Sequence, residues 1–392
     1  MKKSVVALAV LGAFTSVAFA QSSVTLYGRI DQNMTLQTPG NSATIKGGSG
    51  VGKDAMKIND GGVNGMGSSR IGMKGVEDLG SGLKAYFVLE AQVSADTGDA
   101  GSKSTQTSST SFFNREAYVA LGSSSLGDIR LGRLETITRE TNRRVNDVSG
   151  ENEFTIAESL DAFDNGDGAA KQARPLFQNF GTRVDNAISY RSPVFGGLQG
   201  FATVGLGENY KVDKEEKYGA EYRGLGAIFS AGPFNASVSY EELAGARIQG
   251  GSFNNTATVG ANYDFGMAVL YLAYQNSSNV PFEAASGALS GGSSGADFAA
   301  PSADHDAINV GVKVPVGNFT FKVQYTESTI DGLPATAKFN NGELRQHKYG
   351  GIVSYAFSKR TSVYALATTR GGDGDQYFQR KNEYAIGIGH NF

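Results

Sequence analysis

Phe319-Thr-Phe-Lys-Val-Gln-Tyr-Thr326 sets Phe319, Phe321, Val323 and Tyr325 against Thr320, Lys322, Gln324 and Thr326. A period of two puts the apolar set on one face of a β-strand and the polar set on the other. The pattern recurs through the chain. Ala257, Val259, Ala261, Tyr263 and Phe265 oppose Thr258, Gly260, Asn262 and Asp264. Ile308, Val310, Val312 and Val314 oppose Asn309, Gly311 and Lys313, and Ala236, Val238 and Tyr240 oppose Asn235, Ser237 and Ser239. A sheet with one apolar and one polar face suits both a soluble sandwich and a membrane barrel, so alternation alone leaves both open.

Three further features favour the barrel. Short turns at 77–82, 123–127, 193–198, 231–233, 264–266, 315–318 and 357–360 alternate with longer polar loops near 38–68, 96–111, 134–180, 209–217, 245–253, 278–304, 331–344 and 371–379. Short turns on one rim and long loops on the other are the pattern of membrane barrels. Aromatic residues sit near strand ends, among them Tyr190, Phe195, Phe229, Phe234, Phe265, Phe319 and Phe357, where they would form interfacial girdles. The polar faces also carry Arg29, Arg70, Lys74, Lys84, Glu90 and Lys322. A small dry core could not bury such charges unpaired, whereas a water-filled lumen holds them.

The turns and loops separate sixteen strands, an even number as expected of a single-chain barrel. Sixteen leave an aqueous lumen where eight would be filled by side chains. The expected fold is therefore all-β: a transmembrane, antiparallel, up-and-down β-barrel. The first strand alternates Val24, Leu26, Gly28 and Ile30 with Thr25, Tyr27, Arg29 and Asp31. The last alternates Tyr384, Ile386, Ile388, His390 and Phe392 with Ala385, Gly387, Gly389 and Asn391. Pairing these two would leave no edge exposed to lipid. Some segments fit less well. Met267 to Tyr274 and Ser362 to Leu366 are apolar on both parities, and Ala117, Val119 and Leu121 lie in phase with Arg115. Such faces are expected at a subunit contact.

Bulk composition narrows the function classes. Lys2 and Lys3, the apolar run Val5 to Val17 and the small-x-small site Ala18-Phe19-Ala20 read as a cleaved targeting segment over 1–20, too short to span a membrane as a helix. Residues 21–392 then read as one barrel domain. The formal net charge of -3 becomes -5 once Lys2 and Lys3 are removed, and nucleic acid is not an expected partner. The chain has 53 glycines and no cysteine, so neither disulfides nor thiolate metal sites hold it together.

The longest connection, Leu134 to Phe180, mixes carboxylates at Glu135, Glu140, Asp147, Glu151, Glu153, Glu158, Asp161, Asp164 and Asp167 with Arg139, Arg143, Arg144, Lys171 and Arg174. A connection this long is functional or disordered. The functional reading is that it folds into the bore and narrows it.

Other motifs carry less. Gly47-Gly-Ser-Gly-Val-Gly-Lys53 mimics a phosphate-binding loop, but Asp54 follows where Ser or Thr is needed. Asp164-Asn-Gly-Asp-Gly168 and Asp373-Gly-Asp375 lack the Glu that completes a calcium loop and read as solvated turns. The only histidines are His305, His347 and His390, with no serine elbow to serve. No enzyme activity, cofactor or metal is expected.

Gln21-Ser-Ser-Val-Thr-Leu-Tyr-Gly28, Ser69-Arg-Ile-Gly-Met-Lys-Gly-Val-Glu-Asp-Leu-Gly80, Phe113-Asn-Arg-Glu-Ala-Tyr-Val-Ala-Leu-Gly122, Leu131-Gly-Arg133 and Asn186-Ala-Ile-Ser-Tyr-Arg-Ser-Pro193 together resemble the general porins of β-proteobacteria. The resemblance covers the whole mature chain. It implies a passive, water-filled channel for ions and small hydrophilic solutes in the outer membrane of a Gram-negative bacterium, built as a homotrimer with the third long loop as constriction. The partners it implies are outer-membrane lipid and lipopolysaccharide. Terminal Phe392, with apolar residues at alternate positions before it, looks like the signal read by the outer-membrane assembly machinery. By position, the family's basic wall matches Arg70, Arg115 and Arg191, with Arg133 where the loop departs. Acidic loop residues face that wall, and mid-loop position selects Glu151, Glu153 and Glu158. The alternatives are a substrate-specific anion or sugar porin and a barrel acting as adhesin or receptor.

Overall fold

Sixteen strands form one antiparallel ladder that closes on itself. A computed structural model describes residues 23–39, 55–62, 65–103, 110–148, 183–206, 221–244, 254–283, 302–331, 343–372 and 380–392, with short pieces at 160–163, 172–174, 210–212, 215–217 and 288–289. The wall begins with β1 (Ser23–Pro39), β2 (Ala55–Asp60, resuming as Arg70–Gly80), β3 (Leu83–Ser94), β4 (Glu116–Ser123) and β5 (Gly127–Glu135). It continues through β6 (Arg183–Arg191), β7 (Leu198–Gly205), β8 (Glu221–Ala231), β9 (Phe234–Ala244), β10 (Asn254–Asp264) and β11 (Val269–Glu283). The last staves are β12 (Ser302–Val316), β13 (Phe319–Asp331), β14 (Leu344–Ala356), β15 (Thr361–Gly372) and β16 (Arg380–Asn391). Each strand pairs with its sequence neighbour, and β16 returns to pair with β1 from Asn391↔Arg29 to Arg380↔Pro39. The first and last strands are thus joined and the ladder closes, as a wall in hydrocarbon requires.

The burial pattern is inverted relative to a soluble protein. On β13, Phe321 and Val323 are exposed while Gln324, Thr326 and Ser328 are buried; on β10, Val259 is exposed while Thr256 and Thr258 are buried. Contiguous apolar faces of this extent would drive aggregation in water and fit a surface solvated by lipid tails. No helix of the described residues is long and apolar enough to cross a membrane; the strands do so. The seven short turns lie where alternation places them. Rings cluster beside them, with Tyr263 4.6 Å from Phe265 and Tyr355 4.8 Å from Phe319 and 5.2 Å from Phe357.

β2 is interrupted. Its lower piece pairs with β1 as far as Arg70↔Arg29, and its upper piece resumes at Asp60↔Gln32. Two residues, Ile30 and Asp31, separate these pairs on β1, whereas nine, 61–69, separate them on β2. Seven residues are therefore surplus to the ladder.

The inner faces of the segments apolar on both parities are covered inside the barrel by the chain itself. The lumen-side members Val269 and Tyr271 pack with Val148 of the long loop. Tyr364 and Leu366 pack with Ile352, Ala385 and Met66. The phase conflict at Arg115 also resolves. Arg115 precedes β4, whose outer face carries exposed Val119 and Leu121.

Candidate functional site

Once β5 ends at Glu135, the chain turns into the lumen. The Thr136 side chain accepts a hydrogen bond from the Arg139 N–H and caps a short helix, α1 (Ile137–Thr141), which runs on as one wider π-helical turn to Asn146. Five residues of α-helix are too few to persist by themselves, so docking must hold them. Ile137 and Val145 pack with Phe201 of β7 and Ile228 of β8. The Glu241 carboxylate on β9 accepts from the Thr138 N–H at 2.5 Å and from the Tyr222 hydroxyl at 2.7 Å. That hydroxyl in turn accepts from the Ile137 N–H at 2.8 Å. Two of the orphan donors at the helix start are satisfied in this way.

Further along, the Asn146 amide donates to Asn142 Oδ1 at 2.7 Å, and its oxygen accepts from the Ser237 hydroxyl at 3.0 Å. Asn262 donates to the Val145 carbonyl and Asn309 to the Asn146 carbonyl. The wall is shaped for this approach. A Cβ on Gly226 would overlap Ile137, and one on Gly260 would overlap the Asn146 amide. From 137 to 148 the loop therefore lies across the lumen faces of β7 to β12 and leaves the bore open toward β2 to β6.

That open side is lined with charge. Arg115, only 5% exposed, places Nε 2.5 Å from Glu90, which also accepts from the Tyr27 hydroxyl at 3.0 Å and has Arg70 at 4.0 Å. Glu135, where the loop departs, meets Arg139 at 3.3 Å, Arg143 at 3.4 Å and Arg183 of β6 at 3.9 Å. Glu140 on α1 pairs with Arg191 of β6 and lies 3.6 Å from Arg144. Glu116 is half-buried in the field of Glu135, Glu90, Arg183 and Arg143. Arg130 of β5 lies 4.0 Å from Asp128. Among the described residues of this belt, eight arginines (70, 115, 130, 139, 143, 144, 183, 191) face five carboxylates (90, 116, 128, 135, 140), an excess of three positive charges. Burial on the loop lowers the pKa of Arg144 from its ordinary value, with Glu140 opposing; a guanidinium stays a cation regardless.

Three arginines also stack on rings. The Arg130 guanidinium lies 5.5 Å from the Tyr118 centroid and 6.0 Å from that of Tyr86. Arg191 and Arg144 lie 5.4 and 5.5 Å from Phe201.

The structure places the wall residues singled out from sequence as follows. Arg70 and Arg115 gather at Glu90, and Arg191 reaches the loop through Glu140. Arg133 is engaged apart from them: Nε donates to the Asn114 carbonyl at 2.8 Å and Nη1 meets the exposed Asp185 at 2.5 Å. Glu151, Glu153 and Glu158 lie outside the described residues, as do 1–20, the Gly47–Lys53 stretch, Asp164–Gly168 and Asp373–Asp375. The carboxylates that meet the arginines in the described part are Glu135 and Glu140 on the loop and Glu90, Asp128 and Asp185 on the wall, which sequence reasoning did not select. A signal for the loop pair existed. Glu135–Arg139 and Glu140–Arg144 sit at i,i+4, the spacing of helical ion pairs, directly around a Thr cap. No cluster of three metal-ligating side chains occurs among the described residues.

A family model described as Gram-negative porin matches residues 7–375. Outer membrane porin protein 32 of Delftia acidovorans is 32% identical over 277 residues, 69% of this chain and 68% of its own length. An outer membrane porin protein of Bordetella pertussis is 26% identical over 420 residues, spanning 100% of both chains. In three dimensions the fold is similar to that of an anion-selective porin from Comamonas acidovorans, with a TM-score of 0.66, 22% identity, and coverage of 95% of this chain and 100% of that one.

Proposed function

The chain belongs to the Gram-negative porin family, and from that premise we propose a general diffusion channel whose throat favours anions. It is an outer-membrane porin and a passive conduit, not an enzyme. The observation that carries the anion preference is the excess of three arginines around the throat, where Arg70, Arg115, Arg130, Arg183 and Arg191 of the wall and Arg139, Arg143 and Arg144 of the loop meet five carboxylates. Charges lining a constriction set ion selectivity together with its width. Screening decays over about 8 Å at physiological salt, so an ion passing the throat feels the unbalanced charge. The wall residues Arg70, Arg115 and Arg191 are assigned the role of anion contacts, with Arg133 as a supporting residue where the loop leaves β5. Glu151, Glu153 and Glu158 are assigned to the later course of the same loop.

The deciding experiment is a reversal potential in a planar bilayer under a tenfold KCl gradient. An anion-selective sign is expected, and a cation-selective sign would overturn the preference. A second reading, a throat tuned to organic anions, draws on Arg130 beside Tyr86 and Tyr118 and on Phe201 under Arg144 and Arg191. Flat guanidinium and ring surfaces suit planar carboxylates. Current block by benzoate exceeding that by acetate would favour it.

The same proposal includes a homotrimer, so conductance should appear in steps of three. It includes contact with lipopolysaccharide at the outer leaflet, and recognition of Phe392 by the assembly machinery. Residues 1–20 are removed on export to leave 21–392 as one barrel, so the mature protein should begin at Gln21 in intact-mass measurement.

A further inference from the structure

We propose that the excursion in β2, described at residues 61–62 and 65–69, is a second constriction element that narrows the bore from the wall opposite the long loop. The inference rests on the channel reading above. Seven residues more than the ladder needs leave the wall between Asp60 and Arg70, and the described ones fold inward. Their hub is Asp31, on the lumen parity of β1 and fully buried. Its N–H donates to the Ser69 hydroxyl at 2.9 Å, and its carbonyl accepts from that hydroxyl and from the Gly61 N–H. Its carboxylate accepts from Arg29 at 2.6 Å, from the Tyr364 hydroxyl at 2.6 Å, and from the Met66 backbone.

The neck is closed by Asp60, which accepts from the N–H groups of Ser69 and Gly62. Gly67 N–H donates to the Gly61 carbonyl, and a Cβ on Gly65 would overlap the Gly61 backbone. The described residues of the excursion thus form a tight, internally bonded knot rather than a loose loop.

Its docking repeats the logic of the long loop. Apolar patches on the lumen face lie under both segments: those under Ile137, Val145 and Val148, and the patch of Ile352, Tyr364, Leu366 and Ala385 under Met66. Gly387 makes room for the Tyr364 ring, which a Cβ there would overlap. The knot also shares the level of the throat. Ser69 precedes Arg70, which pairs across the ladder with Arg29 and faces Glu90. The bore is then bounded by the long loop on β7 to β12, the knot on β14 to β16 and β1, and the basic wall between them.

The test is a variant lacking residues 62–68, which leaves Gly61 and Ser69 as the two residues the ladder needs. Its single-channel conductance in 1 M KCl should rise roughly 1.5-fold, since conductance follows the open cross-section of the narrowest zone. Larger sugars should also pass in liposome swelling. A variant identical to a conducting wild type overturns the second constriction and leaves the channel reading standing; a wild type that does not conduct overturns both. The chain has no cysteine, so Met66→Cys supplies a single addressable thiol should the deletion fail to assemble. A bulky methanethiosulfonate added to open channels should lower the current in discrete steps. A thiol that does not react, or reacts with no change in current, overturns the proposal.

Discussion

Gly260→Ala tests how the long loop is held. The wall at Gly260 has no side chain, and the Asn146 amide occupies the space a Cβ would take. Adding one methyl expels that amide from between Asn142 Oδ1, at 2.7 Å, and the Ser237 hydroxyl, at 3.0 Å. Two buried hydrogen bonds are lost and their partners left wanting, about 3 kcal/mol at about 1.5 kcal/mol each. That shifts the balance between docked and undocked loop by somewhat more than a hundredfold. The ladder is untouched, because the new methyl points into the lumen while the β10 backbone keeps its pairing to β9 and β11. The variant should therefore assemble and melt like the wild type. In planar bilayers its open-state current noise should increase, and closure should begin at lower voltage. Wild-type noise and closing voltage in a correctly assembled variant would refute the claim that Asn146 anchors the loop.

Arg191→Gln removes one wall cation and leaves Glu140 with Arg144 alone, so the reversal potential should move toward cations; an unchanged value removes Arg191 from the throat. Glu90→Gln strips the shared partner of Arg115, Arg70 and Tyr27. Breaking such a buried pair costs about 3–5 kcal/mol, so the barrel should melt earlier in detergent while the channel becomes more anion-selective. Selectivity itself should fade as KCl rises from 0.1 to about 1 M, where the screening length falls to about 3 Å; a salt-independent ratio would point to width rather than charge. Tyr222→Phe removes the hydroxyl that accepts from Ile137 and donates to Glu241, and should raise gating noise in the same direction as Gly260→Ala.

Much of the wall was legible because its code is local. A residue such as Val323 needs only its neighbours Lys322 and Gln324 to reveal which face it takes. The seven turns and the meeting of the chain's two ends follow from the same rule. Two things escaped that rule. Met267–Tyr274 and Ser362–Leu366 lose alternation because their inner faces are covered by distant parts of the same chain, Val148 and Met66. Period-two reasoning has no term for a third layer. The split of β2 was equally invisible, since 61–69 reads as the tail of a polar loop and only the register against β1 exposes its surplus. At the throat, Arg70, Arg115 and Arg191 were picked out by position in a family pattern. Their carboxylate partners Glu90 and Glu140 depend on which side chains cross the bore, information carried by contacts between elements far apart in sequence.

The final strand serves two neighbours at once, β15 on one flank and β1 on the other. A nascent polypeptide halted a dozen residues early would own a wall with two raw flanks and nothing to bring them together. Closure of the barrel therefore has to wait for this strand, however complete the other fifteen are. Truncations that remove this strand should accordingly be as severe as those that remove the first.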